Sequence, residues 1–265
     1  MLSSLPPFVL FFVGAVVIAF TRGTARKVLI LAIPLVGGLN LWFGVEPGLH
    51  LQFDLLGYTL TPYRADKLSL LFGYLFHLAA FLGFVYALHL GDGAPEGSVA
   101  GEVGEDDIVG NASAGLQHVA AMVYAGSALG AVFAGDFITL FIFWELLAIS
   151  SAFLVWARKS ERSYATGFRY LIIHVISGVL LLSGALMLAH ETGSIAFGHV
   201  GLAGTGAAGW ILLLSFGIKA GFPLLHNWIT EAYPESTPTG TVFLSAFTTK
   251  VAVYAFIRVT YTIFG

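Results

Sequence analysis

Apolar residues run along this chain in long blocks, without the strict alternation of a half-buried strand or the one-sided stripe of a soluble helix. The blocks are Leu5–Phe20, Val28–Val45, Leu68–Leu90, Val119–Phe133, Phe137–Ala157, Phe168–Ala189, Trp210–Trp228 and Val242–Tyr261. Crossing a bilayer takes about 20 mostly apolar residues. The pattern therefore predicts an all-α, polytopic membrane protein with about eight transmembrane helices. Two connections break the rhythm. His50 to Tyr63 (HLQFDLLGYTLTPY) carries strand-forming residues interrupted by Gly57, which predicts a small hairpin near residues 46–66. Gly91 to Gly115 is rich in Gly and Ala, holds Asp92, Glu96, Glu102, Glu105, Asp106 and Asp107, and has no Lys or Arg. Such a composition predicts a flexible, solvated acidic loop over residues 91–117. The organisation expected is three transmembrane helices and the hairpin in 1–90, the loop in 91–117, and five further helices in 118–265.

Charge places the ends of the blocks. Arg22, Arg26, Lys27, Arg158, Lys159, Arg162 and Arg169 fall on one side of the predicted membrane, and Arg64, Lys67 and Arg258 on the other. The basic-rich side is the cytoplasmic one, so the N-terminus is predicted outside and, after an even number of spans, the C-terminus too. The hairpin then lies outside and the acidic loop inside. The loop's position on the positive side is a mild conflict, because acids contribute little to orientation. The first block has no Lys or Arg before it, which is the wrong polarity for a signal peptide.

Composition confirms the solvent: 57% of residues are hydrophobic and 10% charged, with a mean hydropathy of +0.87. Soluble domains carry about 25% charged residues. The chain has no cysteine, which excludes thiolate metal sites and disulfides. No nucleotide, flavin or iron–sulfur motif is present, so no cofactor is expected, nucleic acid is not an expected partner, and the chain itself is not predicted to be an enzyme.

Against this apolar background Glu145, Lys219 and Lys250 each stand near the middle of a predicted span. A charge at membrane depth is costly, and such residues usually line an ion or proton path. Pro223 cannot donate to the carbonyl of Lys219, four residues earlier. A helix interrupted beside an ionisable residue is tolerated in a membrane only where protein or water satisfies the freed groups, which points to a hydrated pocket around Lys219. Gly217 and Gly221 flank the lysine at the spacing of close helix contact. His226 lies one heptad beyond Lys219; it reads either as a proton shuttle or as a hydrogen-bonded histidine near a helix end. Pro234 and Pro238 mark the turn into the next span.

Lys250 lies among Phe243, Phe247 and Tyr254, with Ser245, Thr248 and Thr249 close by. The bland alternative is a lysine that snorkels to the interface, which a central position makes difficult. For Glu145 it is a structural carboxylate bonded to a neighbouring helix. The set has a specific use, because a lysine whose carboxylate partner approaches or departs can take up and release a proton. His174, with Ser177 and Gly178 one turn on, is a candidate relay or a packed core histidine. His77, His89, His118, His190 and His199 show no metal-ligand spacing.

The segments FWELLAISSAFLVW, RYLIIH and FGIKAGFPLLHNWITEAYPESTPTGTVFLSAFTTKVAVYAF resemble the antiporter-like subunits shared by Mrp-type cation/proton antiporters, the respiratory NADH dehydrogenase complex and related membrane hydrogenases. The wording is most similar to the D-type subunits of the Mrp Na⁺/H⁺ antiporters. The resemblance runs from about Asp136 to Arg258 and fits the first three spans more loosely. It implies two inverted five-helix repeats, each forming a half-channel, preceded by three extra helices. On that pattern Glu145 matches the carboxylate of the fifth helix, Lys219 its partner on a broken seventh, His226 the histidine that follows, and Lys250 the central lysine of the eighth. Family members continue through a second repeat, whereas this sequence stops at Gly265, which implies a split gene or a fragment.

The function implied is that of a membrane subunit forming the proton half-channel of a monovalent cation/proton antiporter, coupling proton uptake to export of Na⁺ or another cation. A proton-pumping subunit of a redox complex is the alternative, and a non-transporting membrane scaffold is a third reading. Expected partners are a companion chain with the second repeat, other Mrp-type subunits, the bilayer, protons and monovalent cations. The expected location is the cell inner (plasma) membrane.

Overall fold

The computed structural model describes residues 5–55, 57–89, 114–197 and 206–261. Along the chain the elements are α1 (Pro7–Ala19), α2 (Gly23–Gly44), β1 (Gly48–Leu55), β2 (Tyr58–Ala65), α3 (Lys67–Ala87), α4 (Ala114–Phe133), α5 (Phe137–Trp156), α6 (Glu161–Thr192), α7 (Gly206–Ala220), α8 (Asn227–Glu235) and α9 (Pro238–Val259). Six of these helices, α2 to α6 and α9, are long and apolar enough to cross a membrane, and α1 and α7 are shorter apolar helices. Most of the expected acidic loop lies outside the described residues, and its last four positions form the first turn of α4.

Local signals set the helix starts. Asp66 accepts from the backbone of Leu68 and Ser69 and completes a capping box at the start of α3. Ser160 does the same for α6 with Ser163. That cap starts α6 at Glu161, before the apolar block expected from Phe168, and the helix runs for 32 residues to the left-handed Gly193. Asp136 caps α5, and Thr237 caps α9 with Pro238 in its first turn.

Helix α4 is the hub of the bundle and packs against α1, α3, α5 and α9. Its sequence AGLQHVAAMVYAGSALGAVF is rich in Ala and Gly and almost wholly buried. Between lipid-bathed helices, close backbone approach and packing hold the bundle, and small residues on the central helix let four neighbours reach it. Helix α6 in turn packs on α5 and α7, and α9 bridges α4 and α7.

The expected hairpin forms. β1 and β2 are antiparallel, with Leu49 opposite Arg64, Leu51 opposite Tyr63 and Phe53 opposite Leu60, and the register shifts between these pairs. β1 lies largely exposed, whereas β2 buries Leu60, Thr61, Tyr63 and Ala65. It is tied to the α4–α5 junction: Gly135 N–H donates to the Thr61 carbonyl at 2.9 Å, and Thr61 N–H to Asp136 Oδ2 at 2.6 Å. The segment after α6 joins the same junction, with Phe137 N–H donating to the Ile195 carbonyl at 3.0 Å.

Candidate functional site

The seventh apolar block is broken. Helix α7 stops at Ala220 because Gly221 takes φ of 77°. Its N–H donates to the Ile218 carbonyl at 3.2 Å, and that of Phe222 to the Gly217 carbonyl at 2.9 Å. This is a Schellman close, in which a left-handed glycine lets the chain satisfy the last carbonyls. Pro223 prevents the helix from resuming at once, and α8 begins at Asn227. Trp228 of α8 folds back, its Nε1–H donating to the Ile218 carbonyl at 2.9 Å.

Lys219 therefore sits in the last turn of a half-helix, where the helix dipole favours a cation. It is fully buried. Its Nζ donates to the backbone carbonyl of Trp144 on α5 at 2.8 Å and lies 4.3 Å from the centre of the Trp144 ring, a cation–π distance. Trp144 is held in place: its Nε1–H donates to Ser177 Oγ on α6 at 3.1 Å, and its ring packs on Phe216 of α7. Ser177 Oγ donates to the Ser215 carbonyl at 2.8 Å, and Ser215 Oγ returns a bond to the Ser177 carbonyl at 2.7 Å. Three helices are locked at the level of the lysine.

Glu145 follows Trp144 directly and is half-buried. Its Oε1 is buried and has no hydrogen-bond partner among the described residues. Glu145 and Lys219 interact electrostatically across the α5–α7 contact, but the ion pairs among the described residues do not include them. His174 of α6 completes the group. It is fully buried, feels the charge of Lys219, and packs with ring centroids 4.1 Å from Tyr170 and 4.5 Å from Trp228. Neither ring nitrogen has a hydrogen-bond partner among the described residues. The site thus holds one ammonium, one carboxyl and one imidazole, with polar capacity left unfilled at membrane depth.

Buried hydroxyls extend this group beyond the residues singled out from sequence. Tyr170, one turn before His174, bonds Ser151 Oγ at 2.8 Å and Thr248 Oγ1 of α9 at 3.4 Å. Thr248 Oγ1 pairs with the hydroxyl of Tyr124 on α4, which also accepts from Thr248 N–H at 2.9 Å. Tyr124 was not readable as a site residue, because only the packing of α4 against α9 brings it there. Tyr170 carried a usable signal, since it shares a helical face with His174 and Ser177.

Lys250 and His226 stand apart from the group. Lys250 is exposed and its Nζ donates to the Ser245 carbonyl of its own helix at 2.6 Å. Phe243, Phe247 and Tyr254, which surround it in sequence, turn into the core. His226 is exposed at the start of α8 and makes no side-chain cap bond. The turn at Gly221 cancels the heptad relation that would have put it on the face of Lys219. Among the described residues no cluster of three His, Asp or Glu side chains is placed to hold a metal ion.

Residues 134–264 match the family described as NADH:quinone oxidoreductase/Mrp antiporter, TM. Hydrogenase-4 component B of Escherichia coli (strain K12) is 31% identical over 128 residues, covering 46% of this chain and 19% of that protein. A Na(+)/H(+) antiporter subunit of the D type from Bacillus subtilis (strain 168) is 29% identical over 143 residues, covering 51% of this chain and 29% of that protein. A chain of the membrane-bound sulfane sulfur reductase, an archaeal respiratory membrane complex, superposes with a TM-score of 0.80 at 18% identity, over 99% of this chain and 54% of that one. This chain thus spans less than a third of those two curated relatives and about half of the solved chain. The family match covers α5 to α9 and every residue of the buried group except Tyr124, and it identifies this part of the chain as an antiporter-like membrane subunit of the NADH:quinone oxidoreductase/Mrp antiporter family.

Proposed function

We propose that this chain is the proton-conducting first half of a multi-subunit monovalent cation/proton antiporter, forming the inside-facing half-channel that couples proton uptake into the cell to export of Na⁺ or another cation. The observation that carries this reading is Lys219, a fully buried ammonium on a broken helix, held by the backbone next to Glu145 with His174 within electrostatic reach. In this reading Glu145, Lys219 and His174 pass the proton at the centre, and Lys250 carries it onward across the exposed face of α9. His226, at the end of the break, is the proton-transfer group at the cytoplasmic mouth of the path.

The reading places the protein in the plasma membrane with both ends outside, as a non-catalytic subunit. It divides the chain into three leading helices, an acidic loop and a five-helix half-channel. A companion chain with the second half-channel covers the α9 face, for an exposed lysine in the middle of a membrane helix needs a polar cover. The similarity to a hydrogenase component favours one second reading, a proton-pumping subunit of a redox-driven complex.

One experiment separates the two. The complex is purified from native membranes, its chains are identified by mass spectrometry, and cation/proton exchange is measured in liposomes. Mrp-type subunits and Na⁺-driven proton movement are expected. Redox subunits, with no exchange in the absence of electron transfer, would replace the first reading by the second.

A further inference from the structure

Gly178 of α6 lies directly against the Glu145 side chain of α5. A methyl group built there would overlap the Glu145 carboxyl, its centre 2.6 Å from the carboxyl carbon and 3.4 Å from Cγ. The missing side chain at 178 is thus the space in which the Glu145 carboxyl rests. The carboxyl makes no ion pair and leaves Oε1 without a hydrogen bond among the described residues, so its position is set by shape. The residues on either side of this contact are also fixed. Ser177 holds Trp144 through the indole N–H, and the Trp144 carbonyl holds Lys219. Two consecutive residues of α6 therefore set two consecutive residues of α5: Ser177 positions the lysine's acceptor and Gly178 seats the acid.

We infer that Gly178 is a positioning residue for proton transfer, a notch that draws the Glu145 carboxyl toward the His174 face of α6 and keeps it from closing directly on Lys219. The inference rests on the proposed role of Glu145. It has a physical corollary. Glu145 is a flexible side chain with a half-exposed path, so a methyl at 178 moves the carboxyl and leaves the backbone contact in place. Displacing a reacting group by about 1 Å is enough to cost up to about a hundredfold in rate. Shortening the acid by one methylene makes room for the methyl again.

The test is a double-mutant cycle in the native complex, reconstituted and assayed for proton movement. Gly178→Ala is expected to lower transport by about tenfold or more with assembly retained, and Gly178→Ala with Glu145→Asp to transport at least as well as Glu145→Asp alone. A fully active Gly178→Ala, or a double variant in which the two losses simply multiply, overturns the notch. Labelling of Glu145 by a hydrophobic carbodiimide, measured by mass spectrometry of the peptide in intact membranes, reads the carboxyl without turnover. It is expected to rise in Gly178→Ala, and an unchanged labelling rate overturns the proposal even if Glu145→Asp is itself inactive. Full transport by Glu145→Gln would instead sink the proton-transfer role of Glu145, while the labelling still decides the notch.

Discussion

Two polar clusters at different levels of the bundle are built on opposite rules. At the end that carries the hairpin, Asp66 caps α3 and receives both Nη1 and Nη2 of Arg258 from α9, at 2.5 and 2.7 Å. Arg258 also donates to the Tyr254 hydroxyl, which donates to the Val132 carbonyl of α4 at 2.6 Å, and Arg64 adds a contact to Asp66 at 3.2 Å. Charges there are paired bidentately and fix three helices in register. At the centre, Lys219 has a carbonyl and an aromatic face in place of a carboxylate, Glu145 keeps a buried oxygen without a hydrogen bond among the described residues, and His174 has two such nitrogens. Buried polar groups are usually satisfied, and leaving them short of partners at membrane depth costs free energy. On the proposed reading, a fold that satisfies its ionic groups at the hairpin end and leaves them short at the centre keeps the second set free to change partners and protons.

The sharpest way to break this comparison is to remove a central charge. Lys219→Ala and Glu145→Gln are each expected to lower proton movement by about a hundredfold or more, the scale at which a positioned proton-transfer group acts, with the complex still assembled. Retained transport in either variant would make the central group structural, like the one at the hairpin end. Lys250 comes next. A relay must be able to release its proton, which a guanidinium does not do in proteins. Lys250→Arg is therefore expected to lose transport almost as fully as Lys250→Ala in a vesicle pH assay. A fully active arginine variant would reduce Lys250 to a cation that holds the Ser245 carbonyl.

The hairpin-end cluster is expected to respond in stability and not in turnover. Arg258→Ala leaves Asp66 partly buried with only Arg64 and its backbone cap, at a cost of about 3 kcal/mol, seen as earlier unfolding in detergent with near-normal transport per assembled complex. The pH dependence follows from Asp66. Burial pushes its carboxyl upward, but the Arg258 hydrogen bonds, the Ser69 backbone and the nearby arginine charges outweigh that and hold it down at about 2. A depressed carboxyl stabilises the fold fully above its unfolded value, near 3.8, and loses that contribution as pH falls through about 2. The stability gap between the native chain and Asp66→Asn should stay constant from pH 7 to above 4 and shrink below it. A gap that closed near pH 6 would place the controlling group elsewhere.

Much of this contrast was legible before the fold was known, and the reason differs by residue. Glu145 and Lys219 stood out because an ionisable residue inside an apolar block is costly wherever the chain goes, and Pro223 signalled the break through its missing N–H. The hairpin was readable from strand-forming residues around Gly57. The facing of Lys250 was not, because a centre-of-span position says nothing about which side of a helix meets its neighbours, and here the aromatics took the core. The seat of His226 was not readable for a related reason: a heptad relation holds only along an unbroken helix, and Gly221 turns the chain before 226 is reached. The pairing of Arg258 with Asp66 joins residues 192 positions apart, and nothing local announces it. The extent of α6 was set by Ser160 and Ser163, a capping pair that a hydropathy reading passes over.

The smallest expected effect tests whether the hydroxyls beside the central group belong to it or to the fold. Tyr170 offers a clean substitution, since Phe keeps the ring that packs at 4.1 Å from His174 and removes only the hydroxyl shared with Ser151 and Thr248. As a structural bond it is worth about 1 kcal/mol, so assembly should be nearly unchanged. As part of the proton route it matters more, because a hydroxyl both gives and accepts and this one links the His174 turn of α6 to α9, the helix of Lys250. Tyr170→Phe is then expected to slow proton movement by about threefold to fivefold, less than a general acid–base residue contributes because water can partly replace a hydroxyl. Measured in reconstituted complex alongside thermal stability, a lower rate with unchanged melting would join Tyr170 to the under-satisfied centre. An unchanged rate with a lower melting temperature would place the hydroxyl string with Asp66 and Arg258, among the contacts that hold the helices in register.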